Sequence, residues 1–150
     1  MIERCYEDYT KGEVVHGAGF TLTEAAIIDW ALKYDPQPIH LDKLAAEQSP
    51  YKGLIASGWQ VGTISFRLLV QAGLVGEASL GSPGVDELRW LRPVRPGDHL
   101  SVRVTVMDAV PSRSKPDRGV VTSFIEVLNQ RTEVVLSMRA LNMIARRTPG

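Results

Sequence analysis

The sequence has little cysteine and no excess of charge of either sign. Cys5 is the single cysteine in 150 residues, which excludes an internal disulfide. A chain of this length buries enough apolar surface to fold without one. Lysine and arginine together number 17, as do aspartate and glutamate, so the formal net charge is zero. Non-specific nucleic-acid binding depends on a basic excess, and the composition argues against such a partner.

Long hydrophobic runs and targeting signals are also missing. The longest apolar segment, residues 54–70, is interrupted by Gln60 and Arg67 and falls short of the roughly 20 residues that a membrane-spanning helix needs. The first eight residues include Glu3, Glu7 and Asp8 and no apolar run, unlike a secretory or transit peptide. We therefore expect a cytoplasmic protein without a membrane partner. No repeat or linker divides the chain, so residues 1–150 are expected to form one domain.

Metal ligands are sparse. The three histidines, His16, His40 and His99, lie in separate segments, and a single cysteine cannot form a Cys-x-x-Cys pair. His40 and Asp42 could offer two ligands, which is too few for a closed site. Cys5, close to the N-terminus, is expected to be incidental rather than a nucleophile. We expect no metal site.

The first half of the chain predicts helices. Residues 21–24 fit a capping box in which Thr21 and Glu24 satisfy each other's backbone N–H groups. The apolar spacing that follows predicts a helix ending near Tyr34, before Pro36. A weak strand over 13–20 precedes this helix.

Two further helices are expected before residue 75. Residues 41–47 are compatible with a short polar helix. Residues 57–73 are apolar nearly all round, which predicts a long, mostly buried helix. Gly58 and Gly62 remove side chains from its first turns, so that another backbone or a ligand can approach closely.

In the second half of the chain, apolar residues recur with a period of two. Residues 100–107 alternate apolar and polar side chains, as do 120–128 and 134–144, and a shorter strand is expected over 86–92. Residues 129–132 fit a hairpin turn. Helices followed by a run of antiparallel strands indicate an α+β fold with its helices on one face of a sheet, and exclude alternating βαβ units.

One segment carries an acid and an imidazole on a stiffened loop. Pro36 and Pro38 predict an extended conformation between Asp35 and His40 and lower the entropy cost of holding both side chains in place. An ionised aspartate and a histidine near its ordinary pKa can together polarise one water molecule. The structural alternative is that Asp35 caps a turn and His40 is an ordinary loop histidine.

These residues resemble the motif of the MaoC-like dehydratase family, which includes the (R)-specific enoyl-CoA hydratases. The family motif reads Asp-x-Asn-Pro-x-His, and Asp35, Pro38 and His40 match it. Gly58 matches a later glycine at the start of a buried helix. The similarity runs from Thr21 into the last strands. It implies a hotdog fold, in which an antiparallel sheet wraps around one long central helix.

The resemblance also implies a reaction. Asp35 and His40 would be the catalytic residues that hold one water for reversible syn addition to a 2-enoyl thioester, giving an (R)-3-hydroxyacyl thioester. Asp35 would activate the water, and His40 would manage the proton delivered to the α-carbon. The backbone N–H of Gly58, at the positive end of its helix, would form the oxyanion hole.

Partners follow from the same resemblance. The substrate would be an acyl-CoA or an acyl-carrier thioester, so coenzyme A enters with the substrate and no resident cofactor is expected. Family members of this length form homodimers or larger homo-oligomers, with sites near the subunit interface. The basic residues Arg113, Lys115 and Arg118 are candidates for contacts with coenzyme A phosphates, although a solvated hairpin loop would carry the same charges.

Three positions depart from the family pattern. Gln37 stands where asparagine is usual, Ser57 where many relatives have histidine, and Trp59 where a smaller residue is common. We expect all three to line the substrate pocket and to change acyl preference more than the chemistry of Asp35 and His40.

Two other functions share the fold. A hotdog thioesterase often places a carboxylate on the central helix, but residues 57–73 contain no acidic side chain. A non-catalytic acyl-thioester binding module would not need an aspartate and a histidine together. Both alternatives are weaker than the hydratase interpretation.

Overall fold

The computed structural model describes residues 4–147. A 3-10 helix, Tyr6–Asp8, comes first, and the remaining elements are four helices and six strands. The helices are α1 Glu24–Tyr34, α2 Pro38–Leu41, α3 Lys43–Glu47 and α4 Gly58–Gln71. The strands are β1 Val14–His16, β2 Phe20–Thr21, β3 Gly84–Trp90, β4 His99–Pro111, β5 Arg118–Leu128 and β6 Val134–Ala145.

The six strands form one antiparallel sheet. Along it the strand order is β1-β4-β5-β6-β3, and β2 pairs with β4 beside β1. In β4 the side chains of Leu100, Val102, Val104 and Val106 are all buried, which confirms the alternation expected for residues 100–107. The strand continues beyond that segment to Pro111. The expected first strand over 13–20 is two short strands instead, separated at residues 17–19.

Helix α4 packs against one face of this sheet. Its buried side chains include Val61, Ile64, Leu68 and Leu69, and they meet the inward face of the strands in one core. The α+β hotdog arrangement is therefore confirmed. The expectation that this helix is mostly buried is wrong for a single chain, because Trp59, Phe66 and Val70 on its other face are exposed.

The start of α1 differs from the expected capping box. The N-cap is Thr23, whose hydroxyl accepts a hydrogen bond from the N–H of Ala26 at 3.1 Å. Thr21 belongs to β2 and its hydroxyl instead lies 2.8 Å from Nδ1 of His99. The two threonines lie two residues apart, and the sequence pattern alone does not distinguish them.

The segment from Asp35 to His40 is not extended throughout. Asp35 is the C-cap of α1 and its N–H donates to the carbonyl of Ala31. Pro38 then begins α2, because its fixed φ and missing N–H suit the first helical position. His40 therefore lies on a one-turn helix rather than on an extended loop.

Within residues 4–147, no helix is long and apolar enough to cross a membrane.

Candidate active site

A cleft of about 500 Å³ opens at the end of the sheet where β3 finishes and β6 begins. Its walls come from the α1–α2 connection, the start of α4 and the segment that follows β3. Asp35, His40, Gly58, Trp59 and Trp90 are among the residues that line it. A volume of this order suits a small-molecule ligand.

Asp35 is held by two neutral donors. Its Oδ2 accepts a hydrogen bond from the hydroxyl of Ser57 at 2.6 Å, and its Oδ1 accepts one from Nε2 of Gln37 at 2.7 Å. The first donor comes from the residue immediately before α4, and the second comes from the same connection as Asp35. The carboxylate is therefore fixed between two elements.

His40 is buried, with 4% of its surface exposed. Its Nδ1 lies 2.7 Å from the carbonyl oxygen of Ile55. A carbonyl oxygen only accepts, so Nδ1 carries the hydrogen, and in the neutral ring Nε2 is the acceptor. That Nε2 lies 3.3 Å from Oδ2 of Asp35.

The pKa of Asp35 lies below its ordinary value of 3.8. Burial alone would raise this pKa, but the hydrogen bonds from Ser57 and Gln37 favour the carboxylate and outweigh it. Asp35 is consequently ionised at neutral pH.

The geometry places two acceptors side by side at the cleft. Oδ2 of Asp35 and Nε2 of a neutral His40 have no hydrogen to share between them, although they are only 3.3 Å apart. A water molecule has two O–H groups and can donate one to each acceptor. The pair can therefore orient a water and remove a proton from it.

Gly58 begins α4 and faces the same cleft. As the first helical residue its N–H has no partner within the helix, and the positive end of the helix dipole lies there. Ser57 joins this helix end to Asp35, so the N–H lies next to the carboxylate and histidine pair. An oxygen that gains negative charge would be stabilised at this place.

The other residues expected to line the pocket are divided by the structure. Gln37 and Trp59 lie on the cleft wall. Ser57 is fully buried and lies behind the carboxylate of Asp35, to which it donates. Trp90 and Arg92 also line the cleft, and no motif or spacing in the sequence selects them.

The basic loop lies at the far end of the sheet. Arg113 and Lys115 are exposed between β4 and β5, and Arg118 pairs with Asp117 at 2.8 Å. Arg118 is in register with Ala145, at the end of β6, whereas the cleft lies at the beginning of that strand. Ten residues of strand span about 33 Å. Within one chain the loop and the cleft are not brought together, and the prediction of phosphate contacts there requires a second copy of the chain.

Clusters of three or more histidine, cysteine, aspartate or glutamate side chains that could hold a metal ion do not occur in the described part of the chain. His16 and His99 lie on β1 and β4, away from His40.

Known proteins are similar to this chain in sequence and in fold. Residues 7–127 match the family model described as a MaoC like domain. An uncharacterized protein of Bacillus subtilis, YdeM, is 29% identical over 141 residues, which are 94% of this chain and 98% of that protein. Mesaconyl-CoA hydratase of Haloarcula marismortui is 41% identical over 68 residues, 45% of this chain but only 19% of that enzyme.

Solved structures agree with the sequence matches. A MaoC-like dehydratase from Rhodospirillum rubrum superposes with a TM-score of 0.91 at 43% identity, covering 97% of this chain and 99% of that one. The (R)-hydratase PhaJ1 from Pseudomonas aeruginosa gives a TM-score of 0.75 at 25% identity, covering 95% of this chain and 86% of that one. The family model spans most of the chain, and the chain belongs to the MaoC-like dehydratase family, a family of hydratases and dehydratases.

Proposed function

We propose that this protein is a hydro-lyase that reversibly adds water to a 2-enoyl thioester and forms an (R)-3-hydroxyacyl thioester. The observation that carries the proposal is the pair of adjacent acceptors, Oδ2 of Asp35 and Nε2 of His40, 3.3 Å apart at the cleft. The similarity to mesaconyl-CoA hydratase and to an (R)-hydratase supports the same class of reaction.

The proposed step begins with a water that donates one hydrogen bond to Asp35 and one to His40. As the water oxygen bonds to the β-carbon, its proton moves to Nε2 of His40, and the carboxylate of Asp35 stabilises the imidazolium. The same proton then passes to the α-carbon. One water thus supplies both the hydroxyl and the hydrogen, and both arrive on one face of the double bond.

Negative charge meanwhile develops on the thioester oxygen. Attack at the β-carbon pushes electrons through the α-carbon to that oxygen, and the N–H of Gly58 at the start of α4 would donate a hydrogen bond to it. The residues present supply base, acid and oxyanion donor. The proposal therefore uses coenzyme A or a carrier thioester as part of the substrate, with no resident metal or redox cofactor.

We also propose that the working unit is a homodimer. Strand β3 is an edge of the sheet, so its outer backbone groups are open to another strand. The exposed Trp59, Phe66 and Val70 form an apolar stripe at helical spacing on α4. A second copy of the chain joined at β3 would extend the sheet and cover this stripe.

The test is a panel of 2-enoyl-CoA substrates, followed by loss of the conjugated enoyl absorbance and by chiral analysis of the product. Asp35→Asn and His40→Ala should each lower kcat/KM by about 10³-fold, because each removes one partner of the water. Asp29→Asn, at an exposed position of α1, is the matched control and should retain full activity.

Two results would contradict the proposal. Hydrolysis of acyl-CoA in place of hydration would indicate a thioesterase, although α4 carries no acidic residue. Hydration that is unchanged in both Asp35→Asn and His40→Ala would remove these residues from the mechanism.

A further inference from the structure

The indole of Trp90 lies directly over the first residue of α4. A Cβ added to Gly58 would lie 2.5 Å from Cε2 and 2.8 Å from Cδ1 of this ring, and closer still to Nε1. These are distances that real Cβ atoms do not tolerate, so the glycine leaves room for the indole as well as for a ligand. These contacts place the Cβ over the face of the five-membered ring beside Nε1, so the indole stacks on Gly58 and its N–H, which lies in the ring plane, runs alongside the start of α4.

The two nitrogen atoms are close enough to bind one oxygen. The N and Cβ atoms of a residue are about 2.5 Å apart in standard geometry, so Nε1 of Trp90 lies within about 5 Å of the backbone N of Gly58. An oxygen that accepts from both N–H groups needs about 2.9 Å to each nitrogen. A separation of 5 Å or less permits this.

The indole N–H is available and its position is fixed. Among residues 4–147 it donates to no protein acceptor, and 47% of the residue is exposed. The ring packs edge-on against Trp59, with the centroids 5.2 Å apart and the planes at 78°. Because Trp59 is itself on α4, the packing ties the indole to the helix whose first N–H it accompanies.

We propose that Trp90 is a catalytic residue whose Nε1–H, together with the N–H of Gly58, forms a two-donor oxyanion hole for the thioester oxygen. The inference rests on the proposed hydration. Charge grows on that oxygen only as water adds, so a donor already in place stabilises the transition state more than the substrate. A side-chain donor also explains why a large aromatic residue at the end of β3 lines the cleft.

The kinetic test removes the indole N–H of Trp90 but keeps an aromatic ring. Trp90→Phe should lower kcat by about 10- to 100-fold and leave KM for crotonyl-CoA within about threefold, because the lost contact is made mainly in the transition state. Trp90→Leu should show the same loss of kcat. The control is Trp30→Phe, since Trp30 packs on Tyr34 in α1 and is not a cleft residue. The inference is overturned if both Trp90 variants keep kcat within about threefold of this control.

A binding test does not depend on turnover. The enolate of acetoacetyl-CoA carries a full negative charge on oxygen, and its ultraviolet absorbance reports its binding. Trp90→Phe should bind this enolate at least about tenfold more weakly than Trp30→Phe, while both bind saturated butyryl-CoA equally. Equal enolate affinity in the two variants would overturn the role of Trp90. Failure of the wild-type protein to hydrate any enoyl-CoA would instead overturn the proposed function, and the enolate measurement would still decide whether Trp90 is a donor.

Discussion

Asp35 remains charged in a half-buried position because two uncharged side chains donate to it. Burial raises its pKa, and the hydrogen bonds from Ser57 and then Gln37 lower it below 3.8. Removing either donor should therefore raise the pKa of Asp35, and Ser57→Ala should raise it more than Gln37→Ala. A pH titration of the carboxyl ¹³C chemical shift of Asp35 measures both. A larger change in Gln37→Ala would reverse the assigned order of the two donors.

The same carboxylate links stability to pH. A pKa that is lower in the folded than in the unfolded protein means that ionised Asp35 favours the fold at pH values above the unfolded value, near 3.8. That contribution is lost as the pH falls through the lower folded value. In Asp35→Asn it is absent at every pH. The free energy of unfolding of the wild-type protein should therefore fall more steeply below pH 4 than that of the variant, as urea titrations across pH 3–6 would show.

At the scale of residues, the sequence identified site residues that lie close together along the chain and missed those that lie far apart along it. Asp35 and His40 are five residues apart, and their shared motif selected them directly. Trp90 comes to the same cleft from the end of β3, and the carbonyl of Ile55 from the segment before α4. Only the folded chain brings these groups together. The position of Ser57 beside Gly58 predicts a residue that lines the pocket, whereas its hydroxyl donates to Asp35.

Among the elements, α4 links the core to the site. Leu68 is fully buried against the sheet, and Leu68→Ala should lower the free energy of unfolding by about 2–5 kcal/mol because it leaves a cavity. Gln71→Ala, exposed at the end of the same helix, should change it by less than about 0.5 kcal/mol. Urea unfolding at one protein concentration measures both, and equal effects would show that α4 is not part of the core.

The type of an element was predictable where the periodic pattern of apolar residues covers a long segment. The spacing of two in β4, β5 and β6 and the apolar length of α4 were sufficient, because each pattern persists for at least eight residues. Short elements were not predictable in the same way. Three residues of strand in β1 and two in β2 are set by pairing with β4, and tertiary contacts of that kind leave no period in the sequence.

At the scale of the whole molecule, the proposed homodimer accounts for the exposed face of α4 and for the open edge of β3. A single chain leaves Trp59, Phe66 and Val70 uncovered, a pattern typical of an interface rather than of a monomer surface. A zero net charge offers no general repulsion between copies. The basic loop of one copy, which lies far from its own cleft, could meet coenzyme A phosphates only across such an interface.

The dimer can be tested at the edge of the sheet. Val85 lies on β3, is 49% exposed and pairs inward with Ala140. In a dimer joined at β3, Val85→Asp would place like charges on both sides of the junction, and we expect at least about tenfold weaker association by sedimentation velocity. Leu32→Asp, at a position 61% exposed on α1, is the matched control and should leave association unchanged. Because Trp90 ends the same strand, hydration by Val85→Asp should fall as the protein is diluted. A wild-type protein that sediments as a monomer at every concentration would contradict the dimer, and the face of α4 would then need another partner.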